Sequence, residues 1–279
     1  MIEEPLQFGD GGRLFGILTK AERPANAASD SRIFVFLNAG LLPRAGPHRL
    51  HVRIARELAE IGIHSLRVDF AGRGDSLPPA EGPDQRTVAA DFVEIMRLLE
   101  SELGDIEVVL VGLCSGADNA VRLAPQDRRV TGLVLLDPVC DQDPGFRSRA
   151  LRYSTRALLR KCTTPSKYLP WIKRCMAAMF GTNDDADGSA DNLSLRDLPT
   201  TEQTRDALTT VRERNGKVLA VFTQYALEYY NQLGQMGDVL ELDGYDQFCT
   251  ERFWPQVEHT YPFEQHRRQL IDAIKSWAS

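Results

Sequence analysis

A cysteine and a serine stand side by side at Cys114 and Ser115, directly after the apolar run EVVLV and ahead of a stretch with helical character. Either side chain becomes a nucleophile for acyl transfer once a base takes its proton. When a nucleophile sits on a tight turn from strand to helix, the residues two before and two after it must be small, because the two backbones meet there. With Cys114 central, those residues are Gly112 and Gly116; with Ser115 central, they are Leu113 and Ala117, and Leu113 would clash. The frame favours Cys114, against two alternatives: Ser115 as nucleophile, or an inert buried thiol.

A cysteine reacts as thiolate, so it needs a base or a cationic neighbour, usually histidine. The chain has five histidines. His48 and His51 belong to the loop and helix after the first core strand, His64 opens a strand, and His266 lies within a charged helix. His259 stands alone just ahead of the last helix, at the end of RFWPQVEH. An acyl group on Cys114 would be a thioester, formed with little penalty from another thioester. Such an intermediate accepts carbon and nitrogen nucleophiles as well as water, so cyclisation and hydrolysis are both available exits.

The elements that must carry these residues are legible from periodicity. LQFGDGGRLFGIL places a Gly/Asp turn between two alternating runs, a β-hairpin pattern. IFVFLN (33–38) reads as an apolar strand, followed by a helix with Leu50, Ile54, Leu58 and Ile61 at helical spacing. HSLRVDF, EVVLVG, TGLVLLD (131–137) and KVLAVFT (217–223) are further strands. Helices are expected from about Thr87 to Gly104, after the elbow as far as Pro125, and from Pro262 to Trp277 with Phe263 on the apolar face. Continuous apolar strands alternating with helices imply a mostly parallel sheet covered on both faces, with the ligand site at the carboxyl ends of the strands. Between Asp141 and about Asp206 the alternation breaks. The expected organisation is therefore a core of residues 1–140 and 206–279, with 141–205 inserted as a helical lid.

Bulk properties narrow the function classes. A chain of 279 residues can bury one sizeable core. Its net charge of −6 argues against a general nucleic-acid binder. No apolar run is long enough to span a bilayer and the first residues do not form a signal sequence, so a soluble cytoplasmic protein is expected. Five cysteines without a C-x-x-C pair indicate reduced thiols rather than disulfides or zinc, and no metal or cofactor is expected. Charge is unevenly spread: from Pro144 to Phe180 there are nine Lys and Arg, Arg152 and Arg156 among them, and no acid. A segment of +9 in a chain of −6 leaves −15 elsewhere. Such a basic surface suits an acidic partner or an anionic substrate, or else pairs with the protein's own acids.

The segments NAGLLPRAGPHR, LRVDFAGRGDS, GLCSGAD and EHTYPF resemble the α/β-hydrolase superfamily. Within it they are similar to a branch with cysteine elbows, including exosortase-associated hydrolases and, more loosely, Dieckmann cyclases of tetramate biosynthesis. The resemblance implies an α/β-hydrolase fold with the lid after the sixth strand, and His259 as the base. It offers two places for the carboxylate: Asp137 at the end of TGLVLLD, which is preferred, and Glu228 after KVLAVFT. It also implies an oxyanion hole from the backbone N–H of Ser115 and that of Leu41. Asp69, Gly72, Gly74 and Ser76 match a loop motif expected to be largely structural.

The functional expectation is a Cys-His-Asp enzyme that accepts an acyl chain from a thioester, on coenzyme A or on an acidic acyl carrier protein, and releases it by cyclisation or hydrolysis. The alternatives are an esterase or lactone hydrolase acting on a small free substrate, and a catalytically silent partner-binding protein of the same fold.

Overall fold

The computed structural model describes residues 1–22, 32–78, 85–151 and 198–279. These divide into two units, Met1–Asp141 with Pro199–Ser279, and Gln142–Leu198.

The larger unit is built on one eight-stranded sheet. Its strands are β1 (Ile2–Phe8), β2 (Leu14–Lys20), β3 (Arg32–Phe36), β4 (His64–Asp69), β5 (Glu107–Leu113), β6 (Val130–Leu136), β7 (Lys217–Thr223) and β8 (Cys249–Trp254), in spatial order β1-β2-β4-β3-β5-β6-β7-β8. β1, β2 and β4 pair antiparallel, and every pair from β4 to β8 is parallel. Parallel neighbours need crossovers; those up to β7 are supplied by α1 (Leu50–Glu60), α2 (Gln85–Leu103), α3 (Ser115–Leu123) and α4 (Thr201–Glu213), that from β7 to β8 runs through two short helices, Gln235–Leu240 and Tyr245–Phe248, and α5 (Glu264–Ala278) follows β8.

Burial alternates along the central strands as a two-faced sheet requires. Leu110, Leu133 and Phe222 pack on one face with Phe92, Ile95, Ala120 and Leu208. Val109, Val111, Val134 and Val221 pack on the other with Ile54, Leu58, Leu270 and Ile274. Both faces are covered, so the strands read as unbroken apolar runs.

Three details differ from the sequence reading. CTERFW forms β8 although its alternating polar residues hid it. Among the described residues it pairs with β7 alone, as an edge strand, and Thr250 and Arg252 are not fully buried. The core resumes at Pro199, and α4, opened by a Thr200–Gln203 capping box, spans the expected boundary at 206. Phe263 is not on the apolar face of the last helix: it precedes Glu264 as the cap residue and is exposed.

The smaller unit opens with a turn in which Phe146 N–H donates to Asp143 O at 3.0 Å and Arg149 pairs with Asp143. Arg152 and Arg156 lie outside the described residues, as does most of the basic stretch.

Candidate active site

β5 ends at Leu113 and α3 begins at Ser115, so Cys114 alone makes the turn. Its backbone has φ 58° and ψ −122°, a conformation that costs a non-glycine residue about 1–3 kcal/mol and persists only when the surroundings enforce it. They do so from both sides: Cys114 N–H donates to Leu136 O at 2.9 Å, and Cys114 O accepts from Ala117 N at 2.8 Å. The flanking glycines leave no room for a side chain. A Cβ on Gly112 would lie 2.1 Å from the Gly116 carbonyl, and one on Gly116 would lie 2.8 Å from Asn38 O. The thiol is partly exposed, as a reacting group must be.

Ser115 is engaged elsewhere, since its hydroxyl accepts the Gly40 N–H at 2.7 Å. That bond ties the loop after β3 to the elbow. As the first residue of α3, Ser115 has an amide without an acceptor inside its own helix. Leu41, next in the chain after Gly40, has an exposed side chain.

Asn38 anchors the base of that loop: its Nδ2 donates to Leu42 O at 2.9 Å and to Asp69 Oδ1 at 3.0 Å, and its Oδ1 accepts from Phe70 N. The motif VDFAGRGDS serves the same scaffold. Asp69 accepts from Arg44 N and Asp75 N, and Ser76 Oγ donates to Asp69 O. Gly74 stands where a Cβ would strike the Asp69 carboxylate.

Asp137 follows β6 immediately, is wholly buried, and adopts φ 50°. Its N–H donates to Val221 O at 2.8 Å. Its carboxylate receives three donors: Thr223 N at 2.6 Å on Oδ1, and Thr223 Oγ1 at 2.7 Å and His259 Nδ1 at 2.6 Å on Oδ2. His259 comes from the turn after β8 and is also hydrogen-bonded to Cys114. With Nδ1 on Asp137, the nitrogen left for the thiol is Nε2. Burial lowers the basicity of this imidazole, but the bonds to Asp137 and Cys114, with the charges on both, outweigh it and raise the pKa to about 9. A protonated imidazole at that contact favours the thiolate.

The structure thus brings together Cys114, His259 and Asp137. Glu228 lies on an exposed 3-10 turn. The other histidines have other surroundings. His51 is buried against Phe36, and loss of solvent pushes it down to about 4; His64 Nδ1 accepts from Ala21 N; His48 is exposed in a left-handed turn; and His266 packs edge-on to Phe263.

Two residues at this site had no signal in the sequence. Thr223 supplies two of the three donors to Asp137, and Tyr225 stacks on His259 with centroids 4.2 Å apart. Thr223 ends β7, and Tyr225 lies in the 3-10 turn that follows it. Among the described residues, no group of three His, Cys, Asp or Glu is placed to hold a metal, and no helix is long and apolar enough to cross a membrane.

Comparison with known proteins agrees with this architecture. The model of the alpha/beta hydrolase family matches residues 30–273. No curated protein matches the sequence significantly. Among solved structures, an α/β serine hydrolase without lid from Xanthomonas campestris superposes with a TM-score of 0.54 at 15% identity, over 99% of this chain and 92% of that one. Est1E from Butyrivibrio proteoclasticus gives 0.52 at 15% identity, over 98% and 97%. An esterase from Exiguobacterium antarcticum gives 0.50 at 17% identity, over 99% of each chain.

Proposed function

This chain belongs to the alpha/beta hydrolase family, and we propose that within it the protein is a cysteine-dependent acyl-transfer enzyme working on thioesters. The observation that carries the reading is His259, hydrogen-bonded to Cys114 on one side and to the buried Asp137 on the other.

In the first half-reaction the Cys114 thiolate attacks the thioester carbonyl carbon. The tetrahedral intermediate places its negative oxygen toward the amides of Ser115 and Leu41. Collapse breaks the carbon–sulfur bond to the carrier, and the departing sulfur takes the proton from His259 Nε2. The acyl group is now a thioester on Cys114 and the imidazole is neutral. It then removes a proton from water, or from a carbon or nitrogen nucleophile within the acyl chain, as that atom attacks the acyl carbon. Loss of the product regenerates the thiolate and the protonated imidazole. Asp137 keeps the ring in one orientation and compensates its charge throughout.

Sulfur as nucleophile is what favours thioesters: bonds of the same kind break and form, so acylation is nearly balanced. The second reading is an esterase on a small free substrate, and the esterase among the similar folds favours it. Intact-protein mass spectrometry after exposure to parallel sets of acyl thioesters and free esters separates the two. The proposal expects an adduct of acyl mass on Cys114 from thioesters, at a rate well above that from oxygen esters with the same acyl group. Faster acylation by the free esters would favour the second reading.

The basic stretch from Pro144 to Phe180, read as a lid, carries the charge to attract an acidic carrier protein. Salt screens such attraction over about 10 Å at 0.1 M. The second-order rate with a carrier-bound substrate is expected to fall steeply with ionic strength, while that with a short neutral thioester changes little. Replacing both Arg152 and Arg156 by glutamate should reproduce the high-salt rate at low salt for the carrier-bound substrate alone. Equal salt dependence for both substrates would remove the carrier protein from the reading.

A further inference from the structure

The three residues after Phe222 all touch the acid–base pair or the turn that carries it. Thr223 N and Oγ1 hold both oxygens of Asp137. Gln224 N–H donates at 2.9 Å to the carbonyl of Val257, two residues before His259. The Tyr225 ring lies on the imidazole of His259 at 4.2 Å and 25°, and its amide donates to Thr223 Oγ1. We infer that Thr223-Gln224-Tyr225 is a bracket that sets the geometry and charge of the catalytic pair, with Thr223 positioning Asp137 and Tyr225 stabilising the protonated form of His259. The inference rests on the reading of Cys114, His259 and Asp137 as the catalytic set.

The physical case has two parts. The two ends of the pair come from turns after β6 and β8, which are separated by β7 in the sheet. A strand between them can align them only through its own carboxyl end, and Thr223 is the last residue of β7. Its hydroxyl donates to Asp137 Oδ2 and accepts from the Tyr225 amide, and the carboxylate cannot rotate without also breaking the hydrogen bond from Thr223 N–H to Oδ1. The second part is electrostatic. A ring stacked on an imidazolium presents its electron-rich face to the charge, and this favours the protonated ring over the neutral one. Tyr225 therefore adds to the upward shift of His259 already caused by Asp137 and Cys114.

Two substrate-free readouts test this alongside turnover: the rate at which iodoacetamide alkylates Cys114, and the titration midpoint of His259 followed by NMR. Thr223→Val keeps the branched shape and removes the donor. It is expected to lower both kcat and the alkylation rate at pH 7 by about tenfold, with KM and melting temperature little changed. Thr223→Ser should restore most of both. Tyr225→Leu is expected to lower the His259 midpoint from about 9 by roughly half a unit to one unit, and Tyr225→Phe should not. If Thr223→Val alkylates at the unsubstituted rate, or the serine variant fails to recover it, Thr223 does not position the acid. An unmoved midpoint in Tyr225→Leu overturns the second half. Because neither readout needs a substrate, an unsubstituted protein inactive on every thioester would count against the proposed function while the bracket is still judged.

Discussion

Cys114→Ala is expected to lower turnover by at least about 10⁴-fold and to abolish the acyl adduct, while Ser115→Ala keeps clear activity. The size follows from the loss of the only atom that bonds to the acyl carbon; what remains is binding and the oxyanion donors. The contrast between neighbours follows from the turn. Gly112 and Gly116 leave no space for side chains on either side of Cys114, and Ser115 Oγ is occupied by the Gly40 amide. Ser115→Ala removes that bond and should loosen the loop after β3, so a severalfold decrease is compatible with the assignment. Equal losses in the two variants, or a surviving Cys114→Ala enzyme, would move the nucleophile elsewhere. The measurement is steady-state turnover with intact mass on the same samples, so that a folded, unacylated variant is distinguished from an unfolded one.

Asp137→Asn is expected to cost about 10³- to 10⁴-fold in turnover, in line with the loss seen when an asparagine presents the wrong partner to a catalytic imidazole. The carboxylate accepts the His259 Nδ1–H and compensates the charge that forms on the ring. An amide in the same place holds neither the tautomer nor the charge. The effect has a pH signature. In the unsubstituted protein His259 is raised from its ordinary 6.5 to about 9, so its protonated form persists below about 9 and is lost as pH rises through it. Burial acts in the opposite direction. Without the Asp137 charge, that burial dominates, and the midpoint should fall by at least about two units, leaving no more than about half of the ring protonated at pH 7. Glu228→Gln, on its exposed turn, should change turnover less than twofold. An Asp137→Asn enzyme with near-normal turnover, or a larger loss in Glu228→Gln, would transfer the acid to the later position.

The sequence by itself determined those features that depend on neighbours in the chain. Unbroken apolar runs between helical periods imply a sheet buried on both faces, because each face must find its own layer of helices. The register of the elbow was equally local: it depends on residues two places either side of Cys114, which no distant contact can enlarge or shrink. The edge strand β8 was not legible, since a strand with one neighbour keeps alternating polar residues. The start of α4 was not legible either, because it buries only Thr204, Ala207, Leu208 and Val211 along a largely polar surface. Only the tertiary structure decided which carboxylate meets His259. Asp137 stands directly at the end of its strand and Glu228 farther along after KVLAVFT, which favours Asp137 but carries no record of contact with His259. The difference arises across 122 residues, where the turn after β8 brings Nδ1 within 2.6 Å of Asp137 and Thr223 secures the carboxylate from the strand between. Side-chain contacts of that range follow from the packing of three strand ends against one another, and a linear pattern carries no record of which ends will meet.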